Sequence, residues 1–507
     1  MTLAPPLPSR RPPWLRALLY AIVLGILGGL GSSYRLESRH PAVLLGTTDF
    51  APFYCAGEAL RTGHDPYRVE PLRSCEHRIY RYAPPWGTEP APFPDDVPWS
   101  AEPAPFPGYV LALFVVLSYL PYSSAHIVWI ALIIATLTWS TILLADLIAV
   151  PTLAIFAAFF PSITILSLYL GEPTSFLVAA LVSAAVLAEA RRWSLCACAL
   201  GVAMVEPHVA LPALVALAIG EPRARRAVVG VIAVLGTLSI VTTGVSGTLE
   251  YFTAALPAQA RSEVGAVYQY SLSTILWFFG VPQGTALALG WLSYIAASAV
   301  GIVIALRARG TRLGNALFVL LPTVTAMIGG NFIHIVQIST ALPAALVATV
   351  ASGRKTLGLL ALVGLTYSFL MLISNDSLVI CAVAVGVAGA MLFTTQRIRN
   401  GILTAAASCA LVLALRALPQ LDMSKAPLPT TFAAPPSATD GNAIAGTLWG
   451  ELFRINPYGR SNAPRDVGAK FPGWIGLILI VVLAIKPTRH VTTALESTTD
   501  PSTSASK

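Results

Sequence analysis

Long apolar runs without charged residues recur along most of this chain, and they limit its fold more than any other feature. Lipid offers the backbone no hydrogen-bond partners, so only helices and closed barrels cross a membrane. Several runs reach the roughly 17 residues that a helical span needs. Charged residues make up 11 % of the chain, against about 25 % in globular proteins, which is too few to cover a soluble surface. The sequence therefore predicts an all-α polytopic membrane protein.

The number of spans depends on how two of the runs are interpreted. Counting every run gives fourteen, at about 14–30, 108–122, 125–147, 151–169, 173–190, 194–219, 227–243, 283–306, 313–328, 335–351, 356–373, 377–394, 400–418 and 473–486. If 151–169 dips in and returns, and 194–219 is broken at Glu206-Pro207, twelve crossings remain. Proline removes a helix hydrogen bond, which favours the break. However, two legs of about 19 Å each would be short for a bilayer of about 30 Å. We favour twelve spans and keep fourteen open.

Basic residues fall in short clusters between the apolar runs, and the net charge of the chain is +8. The main clusters are Arg223-Arg225-Arg226, Arg307-Arg309-Arg312, Arg354-Lys355, Arg397-Arg399 and Lys486-Arg489. This pattern is typical of the positive-inside rule, which places the clusters and both termini in the cytoplasm. Twelve spans would also put Arg191-Arg192 inside and Glu172, Glu206 and His208 outside, whereas fourteen would put Arg191-Arg192 outside. No basic face with interleaved aromatics exists, so no nucleic-acid partner is predicted.

The hydrophilic segments divide the chain into five parts. Residues 1–33 form a cytoplasmic N-terminus and a first span, which stays uncleaved because no small-x-small site follows it. Residues 34–107 form a long extracytoplasmic loop, whose aromatic residues argue for order. Residues 108–418 are the multi-span core, which includes an outer loop at 245–270. Residues 419–472 form another extracytoplasmic loop, and 473–507 are the last span and a cytoplasmic tail.

Two of the six cysteines, Cys55 and Cys75, share the first loop. They could form a disulfide if that loop is extracytoplasmic, and the sequence leaves this open. The other four lie in apolar runs, where cysteine usually serves as a small packing residue. Cys196 and Cys198 have no second pair at zinc spacing, so no metal site is predicted from them.

Asp49 is the first candidate for chemistry, because it lies where the outer loop leaves the membrane. A carboxylate at this interface could accept a proton from a substrate hydroxyl. It could equally be the N-cap of a helix that begins near Ala51. Asp65 follows Gly63-His64 and precedes Pro66, which is typical of a structural turn. Tyr82, before Pro84-Pro85, could stack on a sugar or line a pocket.

Polar residues within or beside the apolar runs form a second group of candidates. Glu172 and Glu206 lie in apolar stretches, where a carboxylate is costly unless it is paired or hydrated. We expect Glu206 to pair with His208, with Arg261 or with a ligand. Arg261 could instead bind a phosphate, or be a solvated loop charge. His334 lies at the outer end of a run, where a histidine is a helix cap or a functional residue.

Several common catalytic motifs are absent from the sequence. It contains neither a Walker A loop, nor a Gly-x-Ser-x-Gly elbow, nor an HExxH helix, nor a dinucleotide fingerprint. No carboxylate cluster suited to a metal ion is evident. We therefore predict no metal and no cofactor, and the energy for a reaction must come from an activated substrate or an ion gradient.

Several short elements recur along residues 45 to 350. They are Thr48-Asp49-Phe50 with Phe53-Tyr54, Gly63-His64-Asp65-Pro66-Tyr67, Tyr82-Ala83-Pro84-Pro85, Gly171-Glu172-Pro173-Thr174, Glu206-Pro207, Gln269-Tyr270-Ser271-Leu272 and His334-Ile335-Val336-Gln337. Together they resemble glycosyltransferase family 87, the polyprenyl-phosphate-mannose-dependent mannosyltransferases of the GT-C superfamily. Their order and spacing carry the resemblance. Three residues depart from the family pattern, because Glu172 replaces Gln, Glu206 replaces Lys and Gln337 replaces Asp. If the family lysine contacts the donor phosphate, Glu206 cannot replace it.

The resemblance implies a GT-C-like helical bundle and an inverting sugar transfer on the extracytoplasmic face. Asp49 would be the general base, and His334 would lie near the leaving phosphate or the acceptor. The remaining predicted substrate-binding residues are Phe50, Tyr54, Asp65, Tyr67, Tyr82, Glu172, Glu206, His208, Arg261 and Gln337. The partners would be a polyprenyl-phosphate sugar, a lipid or glycan acceptor and membrane lipid, with the donor tail in a groove between spans.

Other functions stay open at this point. A transporter or flippase of lipid-linked sugars would also have many spans and few charges, although we find no internal repeat. A related enzyme could move arabinofuranose or glucose instead of mannose, or act as a lipid-linked ligase. The three departures also allow a non-catalytic partner subunit with a GT-C-like fold.

Overall fold

The computed structural model of this protein describes residues 49–80, 101–266, 268–370, 440–455 and 463–485, and every regular element in these ranges is a helix. Some predictions concern residues outside the described ranges. They are the first span at 14–30, the spans at 377–394 and 400–418, Tyr82 with its two prolines, the clusters at 397–399 and 486–489, and the C-terminal tail.

The helices are numbered here in chain order. They are α1 (Phe50–Arg61), α2 (Val69–Tyr80), α3 (Gly108–Leu117), α4 (Tyr122–Ile148), α5 (Thr152–Phe159), α6 (Ile165–Leu170), α7 (Thr174–Glu189), α8 (Trp193–Ala203), α9 (Pro207–Gly220), α10 (Arg225–Glu250), α11 (Leu256–Ser262), α12 (Leu272–Phe278), α13 (Gln283–Ala308), α14 (Gly314–Gly329), α15 (Ile335–Ser339), α16 (Leu342–Ser352), α17 (Lys355–Leu370), α18 (Ala445–Ile455) and α19 (Ala463–Ile485). π-helical turns at Phe160–Thr164 and Tyr251–Ala255 join α5 to α6 and α10 to α11.

Four helical segments of the described chain are long and apolar enough to cross a membrane. They are Tyr122–Ile148, Pro222–Ser262, Gln283–Ala308 and Ile335–Ser352. Shorter apolar helices, including α7, α9 and α14, pack among them. Apolar side chains such as Val241 and Leu292 face outward, as expected where lipid is the solvent. The prediction of an all-α polytopic membrane protein is confirmed.

The run at 194–219 is broken at Glu206-Pro207, as one of the two sequence interpretations predicted. By the helical rise, α8 and α9 are about 16 and 21 Å long, shorter than a span. The start of α8 and the end of α9 both contact Arg309. Its guanidinium lies 5.2 Å from the ring centre of Trp193, the first residue of α8, and its Nη2 lies 2.7 Å from Oε2 of Glu221, which follows α9. The pair therefore returns to the end of the bundle from which it starts, and it carries Glu206 at its tip.

The run at 151–169 differs from the twelve-span interpretation, which predicted that this run dips into the membrane and returns. Residues 152–170 form one continuous helical segment that includes the π-turn, so this run does not turn back on itself. Its last carbonyl, at Leu170, accepts a hydrogen bond from the backbone N–H of Asp49 at 2.9 Å. The segment thus reaches the end of the bundle where the first loop lies.

Two further predictions from the sequence are wrong. The run at 108–122 contains only α3, about 15 Å long, and both of its ends lie beside α1 rather than across a membrane. Phe53 packs against Phe106 with ring centres 4.7 Å apart, and the Tyr54 hydroxyl donates to Leu120 O at 2.9 Å. The predicted outer loop at 245–270 does begin at a break in α10, where Gly244 has a φ of +74°, but residues 245–262 are helical and a π-turn leads into α11.

Several basic clusters share the end of the bundle that lies away from Asp49. The Glu189 carboxylate accepts a hydrogen bond from Ala316 N, which places the residues after α7 beside the start of α14. Arg309 joins the same region through Glu221. Helix α14 runs from there for about 24 Å before it leads to His334. The grouping agrees with the predicted charge asymmetry and includes Arg191-Arg192.

The first loop is built on α1 and α2, which a disulfide between Cys55 and Cys75 joins. This answers the question that the sequence left open. Gly57 lets α1 approach α3 closely, because a Cβ at this position would lie 2.3 Å from the Phe114 backbone. Phe50 stacks on Trp129 with ring centres 5.6 Å apart, and this contact ties α1 to α4.

We predict that Gly57→Ala destabilises the protein by about 1–3 kcal/mol, because an added methyl group cannot be accommodated against backbone atoms. Gly230→Ala is the matched control, since a Cβ there meets nothing within 4 Å. Thermal unfolding of the purified protein in detergent should show a lower Tm for the first variant only. An equal Tm for the two variants would contradict the close packing of α1 on α3.

Candidate active site

Polar side chains from several separate helix ends meet at the end of the bundle where the first loop lies. We call this group the acidic cluster, and it consists of Asp49, Glu102, Glu172, Glu206, Glu263 and His334. Each of them lies at or beside a helix end, or in the extended chain before α3. A helix end leaves backbone groups unpaired, and polar residues collect where these groups are satisfied.

Asp49 occupies the N-cap position of α1, but its side chain makes no capping hydrogen bond. It hydrogen-bonds to the Glu172 carboxyl instead. Burial raises the pKa of Asp49 well above its usual value, and the negative charges of Glu172 and Glu102 raise the pKa further. Two carboxyl groups in contact cannot both ionise easily, and a proton held on one of them relieves the repulsion between them. The geometry thus departs from the simple capping interpretation.

Glu172 is presented by a tight turn between α6 and α7. Gly171 adopts a φ of +80°, which glycine reaches without steric cost, and its carbonyl accepts a hydrogen bond from Trp129 Nε1 at 2.7 Å. Thr174 Oγ1 donates to Glu172 Oε2 at 3.1 Å. Burial raises the pKa of Glu172, while the positive charge of His334 and the hydrogen bond from Asp49 oppose the rise.

Glu206, at the tip of the α8–α9 pair, is 5 % exposed. Its Oε2 accepts a hydrogen bond from Gln337 Nε2 at 3.1 Å and lies 3.8 Å from His208 Nε2. His208 thus lies beside Glu206, as expected, but too far for a hydrogen bond, and the hydrogen bond to Glu206 comes from Gln337. Arg261 does not pair with Glu206, because it is exposed and its Nε donates to Pro257 O on its own helix.

His334 begins α15 and is held by two neighbours. Its Nε2 lies 2.5 Å from Glu263 Oε2, and its backbone N–H donates to Gln337 Oε1 at 2.6 Å. Burial lowers the pKa of His334, but Glu263, Glu172 and Glu206 together raise it above the usual value. The surrounding glutamates thus favour the positively charged form of the imidazole.

Sequence reasoning missed Glu263 and Glu102. Glu263 was hidden in a supposed hydrophilic loop, although Gln259 four residues before it was a helical-spacing signal. Glu102 lies in a proline-rich stretch, and its backbone N–H donates to both carboxylate oxygens of the buried Glu76. Burial, with the charges of Glu263 and Glu172, raises the pKa of Glu102 to about 8.

The predicted residues of the first loop have structural contacts. Asp65 Oδ1 accepts a hydrogen bond from Tyr67 N at 2.9 Å, and Asp65 Oδ2 accepts one from Arg68 Nε at 2.9 Å. These local contacts are those of a structural turn. The Tyr67 hydroxyl donates to Phe106 O at 2.9 Å. Phe50 and Tyr54 belong to the aromatic packing around α1. These two side chains pack around the start of α1, next to Asp49, and no contact joins them to the acidic cluster in the described part of the chain.

The acidic cluster does not have the geometry of a metal site. Among the residues that the structure describes, no three His, Cys, Asp or Glu side chains converge closely enough to hold a metal ion. The arrangement can instead hold protons on its carboxyl groups, and it can present one carboxylate and one imidazolium to a substrate.

Comparison with known families bears on the same part of the chain. Residues 106–329 match the family model of glycosyltransferase family 87. The match confirms the resemblance seen in the sequence, and it supports a membrane glycosyltransferase as the general class of this protein. It includes Glu172, Glu206 and Glu263, whereas Asp49 and His334 lie outside the matched residues. No curated protein and no solved structure matches the chain.

We predict that Gln337→Ala lowers the free energy of unfolding by about 1–3 kcal/mol, because it leaves the buried Glu206 carboxyl and His334 N–H without their partner. Gln283→Ala is the control, since its Nε2 reaches only the exposed Arg261 carbonyl. Thermal unfolding in detergent compares the two variants with the unsubstituted protein. Equal Tm values would refute the bridging role of Gln337.

Proposed function

We propose that this protein is an inverting glycosyltransferase that moves a hexose, mannose in the first instance, from a polyprenyl-phosphate donor to a lipid or glycan acceptor. The observation that carries the proposal is that Glu172 interacts with both Asp49 and His334 at one end of a helical bundle, and that residues 106–329 of the bundle match family 87. Asp49 lies near the start and His334 near the end of the segment, residues 45 to 350, that resembles the family. Within the acidic cluster, Asp49 hydrogen-bonds to Glu172 and His334 contacts Glu263.

Asp49 is the general base in this proposal. Its carboxylate takes the proton of the acceptor hydroxyl, and the acceptor oxygen forms a bond to the anomeric carbon. The bond from that carbon to the phosphate oxygen breaks at the same time, and the electron pair leaves with the lipid phosphate. A raised pKa makes Asp49 a stronger base than an exposed aspartate once it is ionised.

The other members of the acidic cluster suit the charges of such a reaction. Transition states of sugar transfer carry positive charge at the anomeric carbon, and an ionised carboxylate of the acidic cluster stabilises that charge. The leaving phosphate gains negative charge, which the imidazolium of His334 stabilises. Glu206 hydrogen-bonds to Gln337 and does not offer a cation, so donor binding in this protein would differ from that of family members with lysine there.

We infer that the acidic cluster faces the extracytoplasmic side. The basic clusters at 191–192, 223–226 and 307–312 share the opposite end, as the positive-inside rule requires of a cytoplasmic face. The Cys55–Cys75 disulfide lies on the end that carries Asp49, and disulfides persist in oxidising compartments outside the cytosol. Both observations favour cytoplasmic termini and an outer active site.

We predict that Asp49→Asn abolishes sugar transfer, because the amide cannot accept the acceptor proton. The assay offers radiolabelled polyprenyl-phosphate mannose and total host lipid to membranes that contain the protein. Asp440→Asn is the control, since Asp440 is exposed and caps only Asn442 N. Product from the Asp49 variant at the normal rate would remove Asp49 as the base and leave the reaction class standing.

A second prediction concerns pH. The base must be ionised, so the rate should rise as pH rises through the pKa of the Asp49–Glu172 pair. Glu172→Gln removes a negative charge beside Asp49 and should move this acidic limb to lower pH by about one unit. The measurement is kcat against pH for both proteins. An unchanged limb would show that the titration of the Asp49–Glu172 pair does not control transfer.

Failure of the wild-type protein to use any lipid-phosphate sugar would favour another function. The glutamates at 172 and 206 would then point to a non-catalytic partner subunit, because both positions depart from the family pattern. Testing the protein with lipid-phosphate glucose and arabinofuranose separates that outcome from a different sugar specificity.

A further inference from the structure

Glu263 is almost fully buried, at 4 % exposure, yet it has donors on both carboxylate oxygens. Oε1 accepts from Gln259 Nε2. Oε2 accepts from Gln269 Nε2 at 2.7 Å and lies 2.5 Å from His334 Nε2. An ionised carboxylate is tolerated inside a protein only when it is paired and hydrogen-bonded in this way.

The same contacts hold the His334 ring in place. An antiparallel bridge pairs Gln269 with His334, so that Tyr270 N donates to Ile333 O and Ile335 N donates to Tyr268 O. The Tyr268 ring packs edge-on against the imidazole with centres 5.2 Å apart. The backbone, one aromatic ring and one carboxylate therefore fix the position of His334.

We propose that Glu263 is a positioning residue for sugar transfer, which fixes the His334 imidazole and stabilises its positive charge where the phosphate of the donor leaves. This inference rests on the proposed function and adds a residue to it. A cation held by a buried carboxylate is oriented before the substrate binds, and preorganised charge of this kind is the most effective form of electrostatic stabilisation.

Other charges also act on His334 and Glu263. Glu172 and Glu206 face the imidazole and favour its charged form, while His334 in turn disfavours the charged form of His208. Glu102 also interacts with Glu263. Of the carboxylates that act on the ring, Glu263 lies within hydrogen-bond distance of it. Removing its charge should therefore change the titration of His334 more than the distant charges can offset.

The test is Glu263→Gln in the full-length protein, with two readouts. The first is the titration midpoint of His334 in protein labelled at histidine, followed by nuclear magnetic resonance, with His334→Gln used to assign the signal. We expect the midpoint to fall by about one pH unit or more. The second is kcat against pH, whose alkaline limb should move to lower pH by the same amount, with roughly tenfold less transfer at pH values above the wild-type midpoint.

Glu221→Gln is the matched control, because Glu221 pairs with Arg309 at the opposite end of the bundle. It should change neither the His334 midpoint nor the alkaline limb. If Glu263→Gln does not fold, Glu263→Asp keeps the charge on a shorter side chain and should shift both readouts in the same direction by less.

The outcomes separate this proposal from the proposed function. An unchanged His334 midpoint overturns the role of Glu263 whether or not the protein transfers sugar. A lower midpoint with an unmoved alkaline limb also overturns it, since His334 would then not act through its charge. A third outcome is that the wild-type protein transfers no sugar, while the titration midpoint of His334 is lower in the Glu263→Gln variant than in the wild type. That result would refute the proposed function and, with it, the role of Glu263 in transfer.

Discussion

The bundle depends on one constraint, that helix ends inside or near lipid must find partners within the protein. An unpaired backbone group in that environment costs several kcal/mol. Here the Asp49 N–H donates a hydrogen bond to the Leu170 carbonyl, and Trp129 Nε1 donates one to the Gly171 carbonyl. The His334 N–H donates one to Gln337 Oε1. Satisfying these ends draws polar side chains from distant helices to one place. The candidate active site is a consequence of how the helices end.

Charge balance is the second organising feature of that place. Five carboxyl groups lie in the same cluster as His334, and hydrogen bonds and protonation reduce the cost of this density of negative charge. Asp49 hydrogen-bonds to Glu172, Gln337 donates to Glu206, and Glu263 faces His334. Such an environment favours groups that develop positive charge and accommodates an anion only beside its cation. This asymmetry sets the orientation in which we propose that a lipid-phosphate sugar binds.

Much of the architecture was predictable because lipid enforces simple rules. Apolar runs became helices, Pro207 ended one of them, and the clusters at 191–192, 223–226 and 307–312 lie at one end of the bundle. The length of the apolar run at 108–122 predicted a membrane span, but the helix in this run packs beside α1 and does not cross the membrane. Hydrophilic composition predicted a loop at 245–270, but residues 245–262 are helical and bury polar side chains such as Gln259. In both cases tertiary contacts outweighed the local pattern.

The sequence by itself determined the class of fold, the resemblance to family 87 and several residues of the candidate site, among them Asp49, Glu172, Glu206 and His334. These follow from the cost of placing polar groups in lipid and from short motifs. Only the tertiary structure decided the partners of those residues. It joined Cys55 to Cys75, paired Asp49 with Glu172, and brought Glu263 to His334. Contacts of this kind depend on how helices distant in sequence pack, and no local pattern encodes them.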